Sequence, residues 1–375
     1  MKIRITALSL LFTALFVVSL ITSSATFSLT GAAAQQRPDR ARQNGPTREE
    51  PPTAEPFDRK DPRAVLGQEW LATETMPYPN AAAGTADSDP LGAAEATFDN
   101  RTGQETLANS VPASEINDGV SRFSKPNLFP GSIGPNPEVD ARDIRNNQGT
   151  GRNTNSVIGN DDRVRISPTT SFPWRAMTKL RMTFPSGRSF ICSGAMIAAK
   201  YTLTAGHCVF SHGEGGWATT IEVIPGLDGS YKPYGSAYAV YMRSYQGWTR
   251  DRDSNHDFGL ITLDRSIGNS TGWFGYASYA SVNGLTANLG GYPGDLDNGL
   301  RLYYHSGPIT SSTTDRVYYS IDTAGGQSGS SVYRINNGSR YVFAVHTTGY
   351  GTYNGGTRIT SARFSNLQSW IASGQ

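Results

Sequence analysis

At 375 residues, with 33 Lys plus Arg against 31 Asp plus Glu, the chain has room for two ordinary domains and a formal charge of only +2. After residue 155 it carries 18 cationic and 13 acidic side chains, but the cations are scattered, without a Lys/Arg stripe or a repeated aromatic platform. Nucleic-acid binding therefore finds no support.

The chain opens on an apparent export signal. Lys2 and Arg4 supply positive charge, Ala7–Ile21 form an apolar run, and Ala32-Ala33-Ala34 offers the small-x-small pattern that signal peptidases cut. This predicts a leader over residues 1–34 and a secreted, extracellular product with no stable membrane association. An uncleaved anchor is the alternative, but the apolar core falls short of the roughly 20 residues a bilayer span takes.

Residues 35–155 are dominated by Pro, Ala, Asn, Asp, Gly and Arg, with little apolar periodicity, and are expected to hold little fixed structure. Trp70–Met76 and Phe98–Leu107 could form local elements, but Pro and Gly interrupt them before a core assembles. The segment reads as a largely unstructured propeptide, with a functionless spacer as the bland alternative.

From Val157 the texture changes to short runs rich in Val, Ile, Tyr, Thr and Phe: Arg175–Phe184, Ser189–Ile197, Thr219–Ile224, Phe258–Leu263, Arg316–Ile321, Ser330–Ile335 and Tyr341–His346. Runs of this length and spacing predict an all-β sandwich or barrel. Turn residues agree, with Pro185-Ser186-Gly187 and Asn336-Asn337-Gly338 between paired runs. One helix is expected at the far end, where Phe364, Leu367, Trp370 and Ile371 recur at helical spacing after a cap at Ser361, its apolar face on the second barrel.

Cys192 and Cys208 are the only cysteines, and in an exported chain an even pair is expected to form a disulfide. Two thiols without a nearby ligand cluster do not predict a metal site.

A serine hydroxyl is a poor nucleophile unless an imidazole acts as its base and a carboxylate fixes that imidazole's tautomer. Three contexts offer such groups: Thr204-Ala205-Gly206-His207-Cys208, Gly325-Gly326-Gln327-Ser328-Gly329-Ser330, and Asp257 immediately before the apolar Phe258–Ile261. A lone histidine is more often structural, and a Gly/Ser hexapeptide is often a flexible turn. Asp251 and Asp253 compete with Asp257 but lie in an Arg-rich loop that reads as solvated surface.

These motifs resemble those of chymotrypsin-like serine peptidases. The resemblance implies two six-stranded antiparallel β-barrels, the first over residues 156–265 and the second, together with the C-terminal helix, over residues 266–375. It also implies His207 as base, Asp257 as orienting acid and Ser328 as nucleophile, with the amides of Gly326 and Ser328 forming the oxyanion hole. The expected product is a monomeric endopeptidase that acts on proteins and peptides without a cofactor.

Within that superfamily, Val157-Ile158-Gly159-Asn160-Asp161-Asp162-Arg163, Tyr292-Pro293-Gly294-Asp295, His305-Ser306-Gly307-Pro308-Ile309 and Ala344-Val345-His346-Thr347 are similar to segments of bacterial glutamyl endopeptidases. Activation would then be a cut near Asn155-Ser156 or Ser156-Val157. Thr323 and His346 are the implied donors to a substrate glutamate, with the freed α-amino group assisting.

Asp322 points the other way, six residues before Ser328, where trypsin-like enzymes hold the aspartate that attracts Lys or Arg. Bacillary glutamyl endopeptidases tolerate an acid here, so trypsin-like specificity remains an open rival. A second rival is a non-catalytic homologue that binds a partner. Glutamate occurs nine times before residue 156 and twice after it, at Glu214 and Glu222, which suits a glutamate cutter that must survive itself.

Overall fold

The β-rich runs become the walls of two closed barrels in the computed structural model, which describes residues 94–108, 127–129, 131 and 156–374. The expected leader and the remainder of the expected propeptide lie outside the described residues.

Three short strands precede the barrels: β1 (Glu95–Asp99), β2 (Gln104–Leu107) and β3 (Asn127–Phe129). After β4 (Val164–Arg165) come β5 (Met177–Thr183), β6 (Ser189–Ala198), β7 (Tyr201–Thr204), the small ribbon β8 (Phe210–Ser211) and β9 (Gly216–Trp217), β10 (Thr220–Pro225), β11 (Ala237–Tyr245) and β12 (Gly259–Leu263). Six of these close the first barrel in the order β10-β5-β6-β7-β12-β11, every pair antiparallel, with β10 meeting β11.

The later strands are β13 (Gly275–Ser278), β14 (Thr286–Gly291), β15 (Tyr303–Ser312), β16 (Arg316–Tyr319), β17 (Ser331–Asn336), β18 (Ser339–Gly349) and β19 (Asn354–Arg358). The second barrel closes as β17-β14-β15-β16-β19-β18, while β13 runs parallel along β18 and β4 pairs with β15. The segment carrying β4 is thus fastened to the second barrel before the chain enters the first.

Closing the walls pairs most of their edges, and their inward side chains fill the interior. In the first barrel Leu180, Met182, Leu203, Ile221, Met242 and Leu260 have no exposed surface, each contributing about 1.5–3 kcal/mol by burial. Leu289, Ile309, Val317, Val332 and Phe343 fill the second.

Three details differ from the sequence expectation. β5 starts at Met177 because Trp174–Ala176 form a 3-10 turn, from which Arg175 donates to the Thr271 carbonyl at 3.0 Å. The helix α1 (Ser361–Ala372) is capped by Thr360, whose hydroxyl accepts the Arg363 amide at 3.2 Å, with Ser361 as its first residue. It also bridges both barrels: Phe364 packs on Tyr276 of β13 and Trp370 on Tyr245 of β11.

The expected local element near Phe98–Leu107 is more than local. β1 and β2 form a hairpin, and β1 joins the first barrel by pairing antiparallel with β11.

Candidate active site

His207 sits on the single helical turn Gly206–Val209 that ends β7, and the Cys192–Cys208 disulfide ties that turn to β6 with Cα atoms 6.2 Å apart. Asp257 follows a 3-10 turn, Ser254–His256, that Asp253 caps by accepting the Asn255 amide at 2.9 Å. Asp253 also contacts His256 at 3.1 Å, so it is engaged in shaping the turn. Two arginines of the second barrel's side hold the same turn, Arg316 donating to the Ser254 carbonyl at 2.8 Å and Arg363 to the Asn255 carbonyl at 2.7 Å.

The fully buried Asp257 carboxylate accepts the His207 backbone amide at 2.8 Å and meets His207 Nδ1 at 2.7 Å. Two bonds to one residue fix both the position and the ring plane of the imidazole. Trp248 covers the ring edge-on at 6.3 Å.

The Ser328 loop is built from close approaches. Gly326 and Gly329 have φ of +94° and +84°, and a Cβ at Gly329 would lie 2.1 Å from Thr204 Oγ1 and 2.2 Å from the Ser193 carbonyl. The Ser328 carbonyl accepts the Ser193 amide at 2.8 Å, and Cys208 Sγ is 3.7 Å from the same oxygen. These contacts put the Ser328 loop against the disulfide that carries His207.

His207 Nε2 and Ser328 Oγ are both buried and have no hydrogen-bond partner among the described residues. Catalytic hydrogen bonds are often long before substrate arrives. Within the loop Gln327 N–H donates to the Ala324 carbonyl, whereas the amides of Gly326 and Ser328 have no acceptor among the described residues.

His346 lies on β18, directly behind this loop: its carbonyl accepts the Gly329 amide at 2.8 Å and its amide donates to the Ser330 carbonyl at 2.9 Å. Its Nδ1 is 2.8 Å from the Tyr319 hydroxyl. Burial pushes the imidazole down to about 3, the nearby His207 adds to that shift, and the Gly355 backbone works against it. The Thr323 hydroxyl is buried without a partner among the described residues.

Asp322 is engaged at both carboxylate oxygens. Its Oδ1 accepts the Ile158 amide at 2.8 Å and its Oδ2 the Asp162 amide at 2.9 Å, and its own amide donates to His305 Nδ1 at 2.8 Å. Ser156 is buried alongside, its carbonyl accepting from Thr323 N at 3.1 Å and Asn354 Nδ2 at 2.7 Å.

Three supporting side chains escaped the sequence reading. The Ser193 hydroxyl donates to the Gly326 carbonyl at 2.8 Å and accepts the Tyr292 amide at 2.9 Å, so it fixes the turn from which the Gly326 amide projects. Arg163 forks onto Asp161 and Asp295 and reaches Gln327 Oε1 at 3.4 Å. Tyr319 orients His346. Ser193 was signalled by its place beside Cys192; the other two contacts span distances that no local pattern reveals.

Comparison with known proteins agrees with this geometry. The model of the trypsin family matches residues 163–371. A glutamyl endopeptidase of Bacillus licheniformis is 43% identical over 229 residues, 59% of this chain and 70% of its own length. An extracellular metalloprotease of Bacillus subtilis is 42% identical over 219 residues, 57% of this chain and 69% of its own length. A solved structure of a Glu endopeptidase in complex with MPD is 32% identical, with a TM-score of 0.52, over 58% of this chain and 99% of that one.

The second of these names raises the question of a metal. Two groups among the described residues bring three ligand atoms within 4.8 Å of one another: Cys192, His207 and Cys208, and Asp162, His305 and Asp322. The sulfurs of the first are joined in a disulfide and offer no thiolate. In the second, the Asp322 oxygens hold backbone amides and the His305 Nδ1 lone pair accepts another. Neither donor set fits a catalytic metal.

Proposed function

Because this chain belongs to the trypsin family and is a serine endopeptidase, we propose that Ser328 is its nucleophile, His207 its general base, and glutamate, less often aspartate, the residue after which it cuts. The observation that carries the catalytic assignment is the pair of buried, unpartnered atoms His207 Nε2 and Ser328 Oγ, backed by the two bonds from His207 to Asp257.

In this reading Asp257 holds hydrogen on Nδ1, leaving the Nε2 lone pair to take the Ser328 proton as Oγ attacks the scissile carbonyl. The oxyanion that forms accepts the Gly326 and Ser328 amides. His207 then returns the proton to the leaving amine, and water, deprotonated by the same imidazole, releases the acyl-enzyme.

Glutamate specificity rests on the pocket's donors. A substrate carboxylate leaving water needs hydrogen-bond donors in return. The Thr323 hydroxyl is unspent, and His346, held by the Tyr319 hydroxyl 2.8 Å from its Nδ1 and by the Gly355 backbone, is the second group proposed to meet the substrate carboxylate. The carboxylate of Asp322, which would repel glutamate, has each of its oxygens engaged by a backbone amide. Self-survival favours the same reading, since Glu222 is buried in β10 and Glu214 is held by Ser186 and Arg188.

The enzyme is proposed to leave the cell and to mature by a cut near Asn155-Ser156, which frees an α-amino group next to Thr323. Peptides differing only in Glu, Asp, Lys, Arg or Phe before the scissile bond test the specificity. The expected profile has kcat/KM for Glu above all others, by about 10²-fold over Arg; a dominant cut after Arg would overturn it.

A further inference from the structure

The first barrel's wall has a gap that its own six strands do not fill. β10 reaches β11 only at Glu222↔Tyr238 and Val223↔Ala237, which leaves the Tyr241–Tyr245 stretch of that edge open. β1 occupies it, with Glu95 opposite Tyr245 through Asp99 opposite Tyr241. Beyond the two ends, Gln246 N–H donates to the Ala94 carbonyl at 2.7 Å and Asn100 N–H to the Val240 carbonyl at 3.0 Å. The alternation of an antiparallel ladder then turns the amides of Ala96 and Phe98 toward β11.

Side chains seal the contact. Ala96 is fully buried, and Phe98 stacks on Trp217 with centroids 5.6 Å apart and planes 12° from parallel. The Trp217 indole donates to Glu105 Oε1 at 3.0 Å, and Gln246 Nε2 donates to the carbonyls of Glu95 at 3.2 Å and Ala108 at 2.9 Å. Both strands of the hairpin are therefore specifically held. Trp217 is also the start of a ring series through Phe210, His212 and Trp248 to His207, with successive centroids 5.0–6.3 Å apart.

We propose that residues 94–108 are a strand pair that docks on the β11 edge by β-augmentation, and that through it the 35–155 piece stays on the protease domain as a non-covalent subunit after the connecting chain is cut. The part concerning the cut rests on the processing proposed above; the docking does not. Its ligand is an extended segment with an aromatic residue for Trp217, joined by main-chain bonds as in other strand-addition complexes. Loss of the hairpin would uncover an unpaired strand edge beside an exposed indole, a hazard that folded proteins ordinarily cover.

The test uses the full chain carrying Ser328→Ala, with residues 146–151 replaced by the recognition sequence of a site-specific protease, so that the cut does not depend on natural processing. After cutting, both pieces are expected to elute together in size exclusion. Phe98→Pro, which removes one amide and the ring, should weaken the hold on the N-terminal piece more than any single-ring loss, the pairing of β3 with β13 being left in place. Phe98→Ala should raise the concentration at which the pieces part by about tenfold or more, while Gln104→Ala on the exposed strand should leave it unchanged. Separation of the pieces without any hairpin substitution, or co-elution undisturbed by both Phe98 variants, would overturn the proposal. N-terminal sequencing of the secreted wild-type protein tests the cut by itself: an uncut chain would refute the processing and the natural two-piece state, while the elution result would still decide the docking.

Discussion

Asp322 accepts the backbone N–H of Ile158 at 2.8 Å, binding the segment before β4 to the one that leads into the Ser328 loop. A carboxylate occupied in this way, with Asp162 N–H on its other oxygen, is a structural anchor. Asp322→Asn keeps one acceptor but replaces the other with a donor facing a donor. The expected result is a loss of about 1–3 kcal/mol in stability with the preference for Glu over Arg unchanged. Urea unfolding with a cleavage profile checks both, and a shift away from Arg cleavage in the variant would revive the trypsin-like reading.

Asp257→Asn should leave the fold intact and lower kcat by about 10⁴-fold. The amide would present a donor or a poorer acceptor to His207 Nδ1, and the wrong tautomer would then carry hydrogen on the nitrogen that must receive it. Single-turnover acylation rates measure this. A decrease below tenfold would mean that Asp257 has no part in orienting the base.

His346 makes the protein acid-sensitive. Its folded value, held at about 3 by burial, lies below the unfolded imidazole value of about 6.5, so its stabilising contribution is complete above pH 6.5 and falls as pH drops toward 3. The expected slope in that window is about 1.4 kcal/mol per pH unit from this residue. In His346→Phe that slope should vanish from urea midpoints taken between pH 4 and pH 7, and kcat/KM for Glu substrates should fall about 10- to 100-fold. Equal slopes in the two proteins would show that His346 does not titrate in this way.

Removing the disulfide by Cys192→Ala with Cys208→Ala opens a loop of 16 residues, for an expected loss of about 3 kcal/mol. For a domain of this size that is a fall of roughly 6–12 °C in Tm. Activity should decline more than unfolding explains, because Cys208 follows His207 and its sulfur lies beside the Ser328 carbonyl. Thermal scans and kcat at a temperature where both proteins are folded separate the two effects.

The candidate site was legible where it is contiguous. Thr204–Cys208 and Gly325–Ser330 each place a proposed catalytic side chain among residues that a tight turn requires, and so each reads as a unit. The paired runs were legible as well, because apolar strands bounded by Gly and Pro announce themselves. β15, with Pro308 inside it, and β19, which reads Asn-Gly-Gly-Thr-Arg, carry turn residues and are strands only because neighbours in the closed barrel hold them. The docking of Phe98 on Trp217 and the fork of Arg163 onto Asp295 join residues more than a hundred positions apart, where local pattern is silent.

The central assignment is the nucleophile, and covalent labelling tests it most directly. The processed enzyme, treated with a serine-directed organophosphate and mapped by peptide mass, should carry one phosphoryl group per chain on Ser328. His207→Ala should label far more slowly, and Ser328→Ala should lose about six orders of magnitude in kcat. An adduct on another residue, or turnover surviving in Ser328→Ala, would contradict the account.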